Sequence, residues 1–276
     1  MSQSIDLEKA KKLTRGITIP PRPAALQAVM KEKQKEYPDL NKIAEVISQD
    51  VTLAASVLKS INSPIFGLRR KVTSIKQAVT MLGFAAVSNL VTGISIRTAT
   101  SGSKLRLERF WDTATDVAMM ASRLSKQLFI GDSEESYLIG LFHDCGIPMM
   151  MLKYPDYKKV LIEANDSHQV FTDIEEKYYP TNHTIVGYYI AHSWGINDKV
   201  CNAILNHHAP DMLNLSDPEV SSLLAVMKLA EHICHTHRRL SQDNEWDDHQ
   251  DEILEHLGLD EDGYIELREE MTSLLD

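Results

Sequence analysis

Apolar residues recur at intervals of three and four along most of this chain, and that spacing predicts helices almost throughout. Ile43, Ala44 and Ile47 follow Asp39, which can cap the start of a helix. No segment sustains the strict alternation of apolar and polar residues that is typical of a strand. The sequence therefore predicts an all-α fold, a multi-helix bundle.

Small and polar residues divide this helical pattern. Gly83 is predicted to interrupt the apolar helix that begins near Ile75, and the polar stretch 98–104 is predicted to separate two lobes. The predicted organisation is an N-terminal arm over residues 1–14, a helical lobe over 15–100, a second lobe over 105–240 and acidic helices over 241–276.

A predicted helical run from Tyr137 to Leu152 carries His143 and Asp144 side by side among apolar residues. Burying either group without a partner costs several kcal/mol, so each requires a partner or a metal ion. Further candidate ligands come from later helix ends and faces: His183, His207, His208 and Glu231. Imidazole and carboxylate together suit Zn, Fe or Mn better than Ca.

Each of these residues also has an ordinary structural interpretation. His143 and Asp144 can form a buried hydrogen-bonded pair that fixes helix contacts. His207 and His208 can satisfy the last carbonyls of a helix, and His183 stands where exposed first-turn residues are common. The other histidines are expected to have no site role, being on a polar helix end or at the surface: His168, His192, His232, His235, His237, His249 and His256. Cys145 is expected to be an inert core thiol.

The charge distribution argues against a nucleic-acid binder. The net charge is −10, but residues 241–276 hold fourteen Asp and Glu against one Arg, which leaves 25 acidic and 28 basic residues before them. The basic cluster Arg69-Arg70-Lys71 is more readily explained as a solvated turn than as a DNA contact. Three widely spaced cysteines, no apolar run of about 18 residues and no signal-peptide pattern predict a cytoplasmic protein outside the membrane.

Longer motifs in both halves are similar to those of a known family. The first half carries Ile47-Ser48-x-Asp50-x-x-Leu53, Asn62-Ser63 and Ala78-Val79-x-x-Leu82-Gly83. The second half carries Gly140-Leu141-Phe142-His143-Asp144-x-Gly146, His183-x-x-x-Gly187 and His207-His208-x-Pro210. Over about residues 15–235 the chain resembles the HDOD domain, the HD-related output domain, and its second lobe resembles the HD superfamily. On this resemblance, residues 15–240 form one HDOD-like domain.

The resemblance implies two alternative functions. HDOD proteins are bacterial signalling or regulatory modules without established catalysis. Catalytic HD-superfamily proteins are metal-dependent phosphohydrolases, and the related HD-GYP proteins cleave cyclic dinucleotides at a di-metal centre. In an active protein His143 and Asp144 would belong to the catalytic centre, and the metal (Fe, Zn, Mn or Mg) would lie among His143, Asp144, His183, His207, His208 and Glu231.

The sequence departs from the catalytic pattern at three positions. Thr113 stands where a first metal-binding His is expected, next to Asp112; Ile147 replaces a Lys; and Glu231 replaces a late Asp. We therefore predict a signal-transduction module with a degenerate metal site and no efficient catalysis. The alternative is a metal-dependent phosphohydrolase. The expected partner is a signalling protein or a small nucleotide.

Overall fold

A computed structural model describes residues 5–63, 66, 68, 70–100, 107–238 and 244–275. These residues form helices joined by turns, and none of them lies in a strand, which confirms the predicted all-α fold. The chain divides into two compact units. The larger unit contains Met1–Ile19 and Leu105–Leu275, and the smaller contains Pro20–Lys104.

Helix α1 (Leu7–Leu13) opens the larger unit, and the smaller unit follows with α2 (Ala24–Lys33), α3 (Leu40–Gln49), α4 (Val51–Ile61) and α5 (Ile75–Thr100). Asp39 and Asp50 cap α3 and α4 by accepting hydrogen bonds from backbone N–H groups. The helices bury aliphatic side chains, among them Ile47, Val57 and Val79. The Asn62 side chain donates to Val72 O and accepts from Val72 N, both at 2.8 Å, and so closes the turn between α4 and α5.

Helix α5 is two helices joined at Gly83, whose φ of 76° and ψ of 179° confirm the predicted interruption. That φ favours a residue without a Cβ. By length and mean hydropathy α5 is the one described helix that would be long enough to cross a membrane, and half of its most apolar window is buried within the structure. A core helix has the same character, so this indication is weak.

The larger unit continues with the helices α6 (Glu108–Leu128), α7 (Ser133–Phe142), α8 (Ile147–Lys153), α9 (Tyr157–Asn165), α10 (Phe171–Tyr178), α11 (His183–Trp194), α12 (Asp198–Asn206), α13 (Pro218–Arg238), α14 (Asn244–Leu257) and α15 (Glu261–Thr272). Helices α6 and α7 pack closely because Gly140 has no side chain: a Cβ there would lie 2.7 Å from the Ala118 Cα. Helix α13 packs against α6, α7, α12 and α14 and is buried along most of its length.

One helix prediction was wrong. The continuous helix from Tyr137 to Leu152 is broken: α7 ends at Phe142 and α8 begins at Ile147. Pro148 lies in the first turn of α8, where its missing N–H costs nothing, whereas inside a continuous helix it would remove a hydrogen bond. Helix α12 is capped by Asn197, which accepts from Val200 N. Helix α5 extends through Thr100 and so includes the first residues of the polar stretch 98–104.

Some predictions fall on positions that the structure does not describe. The remainder of the 98–104 stretch, from 101 onward, lies outside the described residues. The residues Asn-Ser-Pro-Ile-Phe-Gly at 62–67 are typical of a turn, and Pro64, Ile65 and Gly67 of this segment lie outside the described residues, as does Arg69 of the basic cluster.

Candidate metal centre

The break between α7 and α8 sets the position of His143 and Asp144. The turn 143–146 lies directly against the start of α11, where a Cβ on Gly146 would be 2.0 Å from the His183 carbonyl oxygen. No larger residue fits this approach without a backbone shift. The absence of a side chain at position 146 therefore lets Asp144 come within reach of His183.

The six residues predicted as metal ligands lie together in the larger unit, at the ends of α7, α11 and α12 and on the buried face of α13. His183 and His207 are fully buried and His143 is nearly so. The alternative interpretation of His183 as an exposed first-turn residue is therefore excluded. Asn182 caps α11 by accepting from Ile185 N.

All four histidines of the cluster are held through Nδ1. His143 Nδ1 donates to Gly140 O at 3.0 Å, and His207 Nδ1 donates to Ile204 O at 2.8 Å. His183 Nδ1 is 2.6 Å from Glu175 Oε2, and His208 Nδ1 is 2.9 Å from both carboxylate oxygens of Glu245. A hydrogen bond at one ring nitrogen fixes the tautomer and leaves the other, Nε2, available for a metal.

The Nε2 atoms of His143, His183 and His207 converge on Asp144, whose two carboxylate oxygens face different neighbours. Oδ1 is 3.4 Å from His183 Nε2 and 3.5 Å from His207 Nε2. Oδ2 is 3.5 Å from His143 Nε2, which is itself 3.6 Å from Glu231 Oε1. The donors thus form two sets that share Asp144: a four-residue set with His183, His207 and His208, and a three-residue set with His143 and Glu231.

Two buried polar atoms in this cluster have no hydrogen-bond partner, Asp144 Oδ1 and His208 Nε2. An unsatisfied buried polar group is costly, and each such case requires an explanation. Both atoms belong to the four-residue set, and both are donor types that Zn, Fe or Mn accepts. The residues present therefore fit a divalent metal ion.

The charges of the cluster are mutually dependent. Burial opposes protonation of His143, but the carboxylates of Asp144 and Glu231 outweigh it and raise the His143 pKa to about 9. Burial likewise opposes ionisation of Asp144, but the surrounding histidines, His143 foremost, hold the pKa of that carboxyl well below its usual range. Burial lowers the pKa of His207 well below its ordinary value, which keeps that imidazole neutral, the form that binds metals.

Sequence reasoning missed three residues that support the cluster: Glu175, Lys228 and Glu245. Glu175 on α10 is fully buried, accepts from His183 N at 2.9 Å and from the Tyr157 hydroxyl at 2.5 Å, and so anchors the start of α11. Lys228 on α13 is almost fully buried and lies between Glu231, at 3.2 Å, and Glu245, at 2.9 Å. A Glu on an amphipathic helix is ordinary, so nothing in the local sequence marks Glu175 for this role. Lys228 could have been noticed, because a Lys is unusual within the apolar run that precedes Glu231.

Two cavities reach the cluster from different sides. One, of about 300 Å³, is lined by Arg109, Phe110, Thr113, Ala114, Val117, His143, Asp144, Glu231 and His235. The other, of about 250 Å³, is lined by Ile147, Phe171, His208, the segment 167–170 that includes His168, and residues of α9, α13 and α14, including His235, Asp248 and His249. His168, His235 and His249 thus line a cavity that reaches Asp144, and His168 is exposed, as expected. The three positions that depart from the catalytic pattern, Thr113, Ile147 and Glu231, each line a cavity.

Comparison with known sequences identifies the family. The HDOD domain profile matches residues 19–210. The chain belongs to the HDOD domain family. Of the ligand cluster, Glu231 lies beyond the matched residues, as do Lys228 and Glu245, which support it.

Solved structures share this fold. An HDOD domain protein of unknown function from Geobacter sulfurreducens superposes with a TM-score of 0.71 at 22% identity over 97% of both chains. A "Putative phosphohydrolase" from Shewanella amazonensis gives a TM-score of 0.71 at 22% identity, over 98% of this chain and 97% of its own. A "Putative signal transduction protein" from Marinobacter aquaeolei gives 0.70 at 21% identity, over 98% of this chain and 62% of its own. At such identities the likeness concerns the fold alone.

A relative of undetermined function from Treponema pallidum is 26% identical over 195 residues, which is 69% of this chain and 37% of that protein. The present chain thus corresponds to little more than a third of that relative.

Proposed function

We propose that this chain is a bacterial signal-transduction module of the HDOD type whose centre binds a divalent metal ion without efficient catalysis. The observation that carries the proposal is the common arrangement of the four histidines. Each is tied through Nδ1 to an acceptor, and the Nε2 atoms of His143, His183 and His207 lie within 3.5 Å of an Asp144 carboxylate oxygen. His208 belongs to the same cluster of possible ligands. A purely structural set of histidines does not require all of them to reserve the same nitrogen.

The four-residue set is the preferred metal site. Asp144, His183, His207 and His208 would hold the ion, and two of their donor atoms are otherwise buried without a hydrogen bond. In the three-residue set, Glu231 already faces the ammonium of Lys228 at 3.2 Å. That pairing offsets part of the carboxylate charge that would attract a second cation.

The surroundings of the centre argue against efficient phosphoester hydrolysis. Thr113 supplies a hydroxyl where a catalytic relative has an imidazole, and Ile147 supplies no charge where a Lys is usual. The cavity beside Ile147 is lined by four carboxylates: Asp144, Glu231, Glu245 and Asp248. Carboxylates repel an anionic ester, and stabilisation of the developing charge is usually the largest catalytic contribution. The same carboxylates disfavour an anionic small nucleotide in this cavity, so of the two expected partners we propose a cytoplasmic signalling protein first and a small nucleotide second.

The alternative is a metal-dependent phosphohydrolase. One observation favours it: Asp144 is shared by two donor sets, and a carboxylate between two metal ions is suited to phosphodiester cleavage. A divalent ion bound there would supply Lewis-acid stabilisation of negative charge on the phosphoryl group. In that function His143 and Asp144 would face the reacting ester from the cavity that Thr113 and Arg109 line.

Metal content and turnover separate the two functions. The purified full chain is stripped of metal and titrated with Zn²⁺, Mn²⁺ and Fe²⁺ by calorimetry, and phosphodiester hydrolysis is then measured at saturation. We expect one tightly bound ion and turnover far below about 1 s⁻¹, the lower range of ordinary enzymes. Turnover within that range would establish the hydrolase instead.

A matched pair of variants identifies the ligands. His183→Ala is expected to abolish tight metal binding, whereas His192→Ala, on the same helix α11 but outside the cluster, is expected to leave it unchanged. Equal affinity in both variants, or no metal in the unaltered chain, would contradict the proposed centre.

A further inference from the structure

The C-terminal helices lie outside the residues that match the family, yet they pack against the centre's own helix. Trp246 of α14 is buried and stacks on the ring of His232 of α13, with ring centroids 4.2 Å apart. Tyr264 of α15 is hydrogen-bonded to the same histidine at 3.0 Å. Asn244 donates to Ser167 O at 3.2 Å. This segment is therefore docked by specific contacts rather than by charge alone.

Glu245 connects the docked helix to the metal centre. Its carboxylate is 2.9 Å from His208 Nδ1 and 2.9 Å from the Lys228 ammonium, which is almost fully buried. His208 Nε2, on the opposite side of the ring, is the buried nitrogen without a hydrogen bond. Glu245 thus fixes the orientation of His208, a candidate ligand, and pairs with the buried ammonium of Lys228 on α13. Glu245 itself belongs to α14, which packs against α13.

Docking of α14 also shapes the access to the centre. Asn244, Glu245, Asp248 and His249 form part of the wall of the cavity that ends at Asp144. Undocking of the helix would remove this wall and release His208 from its carboxylate. Whether α14 is docked therefore affects both the orientation of His208 and the access to the centre.

We propose that Glu245 is a positioning residue that couples docking of the acidic C-terminal helix α14 to metal occupancy of the centre. The inference rests on the proposed metal site. A carboxylate behind a metal-binding imidazole fixes its tautomer and raises its basicity, and loss of such a partner lowers metal affinity by about 10- to 100-fold. By reciprocity, the bound metal stabilises the docked helix by the same factor. The C-terminal segment would in this way report the state of the centre to a partner.

Two measurements on the full chain test the coupling. The first is Zn²⁺ affinity by calorimetry in the unaltered chain, Glu245→Gln, Glu245→Ala and the control Asp251→Asn, which alters an exposed carboxylate of the same helix. We expect affinity to fall about 10- to 100-fold in Glu245→Ala and less in Glu245→Gln, which keeps an acceptor oxygen. The control should match the unaltered chain.

The second measurement is hydrogen exchange of the α14 amides with and without Zn²⁺. Zn²⁺ should slow exchange of the α14 amides in the unaltered chain and in Asp251→Asn. The factor should be close to the ratio of the Zn²⁺ affinities of the unaltered chain and Glu245→Ala. In Glu245→Ala, Zn²⁺ should not slow exchange. A role confined to folding would change metal-free exchange but not the response to metal. Where Glu245→Ala fails to fold, the same comparison is made with Glu245→Gln.

Failure of the coupling and failure of the metal centre give different results. If the unaltered chain binds metal while the Glu245 variants bind it equally tightly, or α14 exchange is indifferent to metal, the coupling is overturned and the metal centre stands. If the unaltered chain binds no metal, the proposed centre and the coupling are both overturned.

Discussion

The two donor sets that share Asp144 differ in how their other members are held. In the four-residue set the partners of Asp144 are imidazoles, and His183 and His208 are fixed from behind by buried or half-buried carboxylates, Glu175 and Glu245. In the three-residue set the acidic member, Glu231, is engaged by a buried Lys. Negative charge behind His183 and His208 strengthens these ligands, whereas the positive charge of Lys228 acts directly on Glu231, which is itself a candidate ligand. Lys228 also contacts Glu245, at 2.9 Å, and so offsets part of the charge behind His208. The contrast supports the proposal that a single cation binds at the four-residue set.

The largest effect is expected from the residue that both sets share. Asp144→Asn removes the carboxylate charge from each, so metal affinity should fall by more than the roughly hundredfold that loss of an outer partner produces. Calorimetric titration of the variant measures this loss. Retained affinity would mean that the two sets are not joined through Asp144.

Stability without metal should depend on pH through His143. Its pKa is raised to about 9 in the folded chain, against an ordinary value of 6.5. The stabilisation is therefore fully present below about pH 6.5 and is lost as pH rises through 9. The full shift corresponds to no more than about 3 kcal/mol in the free energy of unfolding.

Denaturant unfolding of the metal-free chain at pH 6.5, 8 and 9.5 measures this loss. His143→Gln should flatten the decline, because glutamine cannot gain the proton. A decline of the same size in His143→Gln would assign the pH dependence to other groups.

The smallest effect concerns the three-residue set. Lys228→Met removes the ammonium 3.2 Å from Glu231 while keeping a long side chain in a buried position. A second, weaker divalent ion should then bind, raising the stoichiometry from one to two, because Glu231 recovers its full charge. Lys199→Met, which alters a half-exposed lysine paired with Glu135 and Glu219, is the control and should retain one ion. One ion in both variants would show that Lys228 does not set the stoichiometry.

Much of the fold could be predicted because its signals are local. The caps Asp39, Asp50 and Asn182 precede their helices in sequence, and the break at Gly83 follows from a residue that tolerates positive φ. The helical run across Tyr137–Leu152 was predicted incorrectly. Its apolar pattern continues through the turn, and only packing against the start of α11 reveals that Gly146 must approach His183.

The sequence by itself determined that this protein is all-α and which histidines and acids were candidates for a metal. Helix periodicity and capping act over a few residues, and the motifs of the HDOD family are contiguous. Only the tertiary structure decided that Asp144 faces two donor sets, that Glu175 and Glu245 stand behind His183 and His208, and that Lys228 engages Glu231. These relations join residues 1 to 87 positions apart, and most of them depend on the packing of separate helices, which no local pattern encodes.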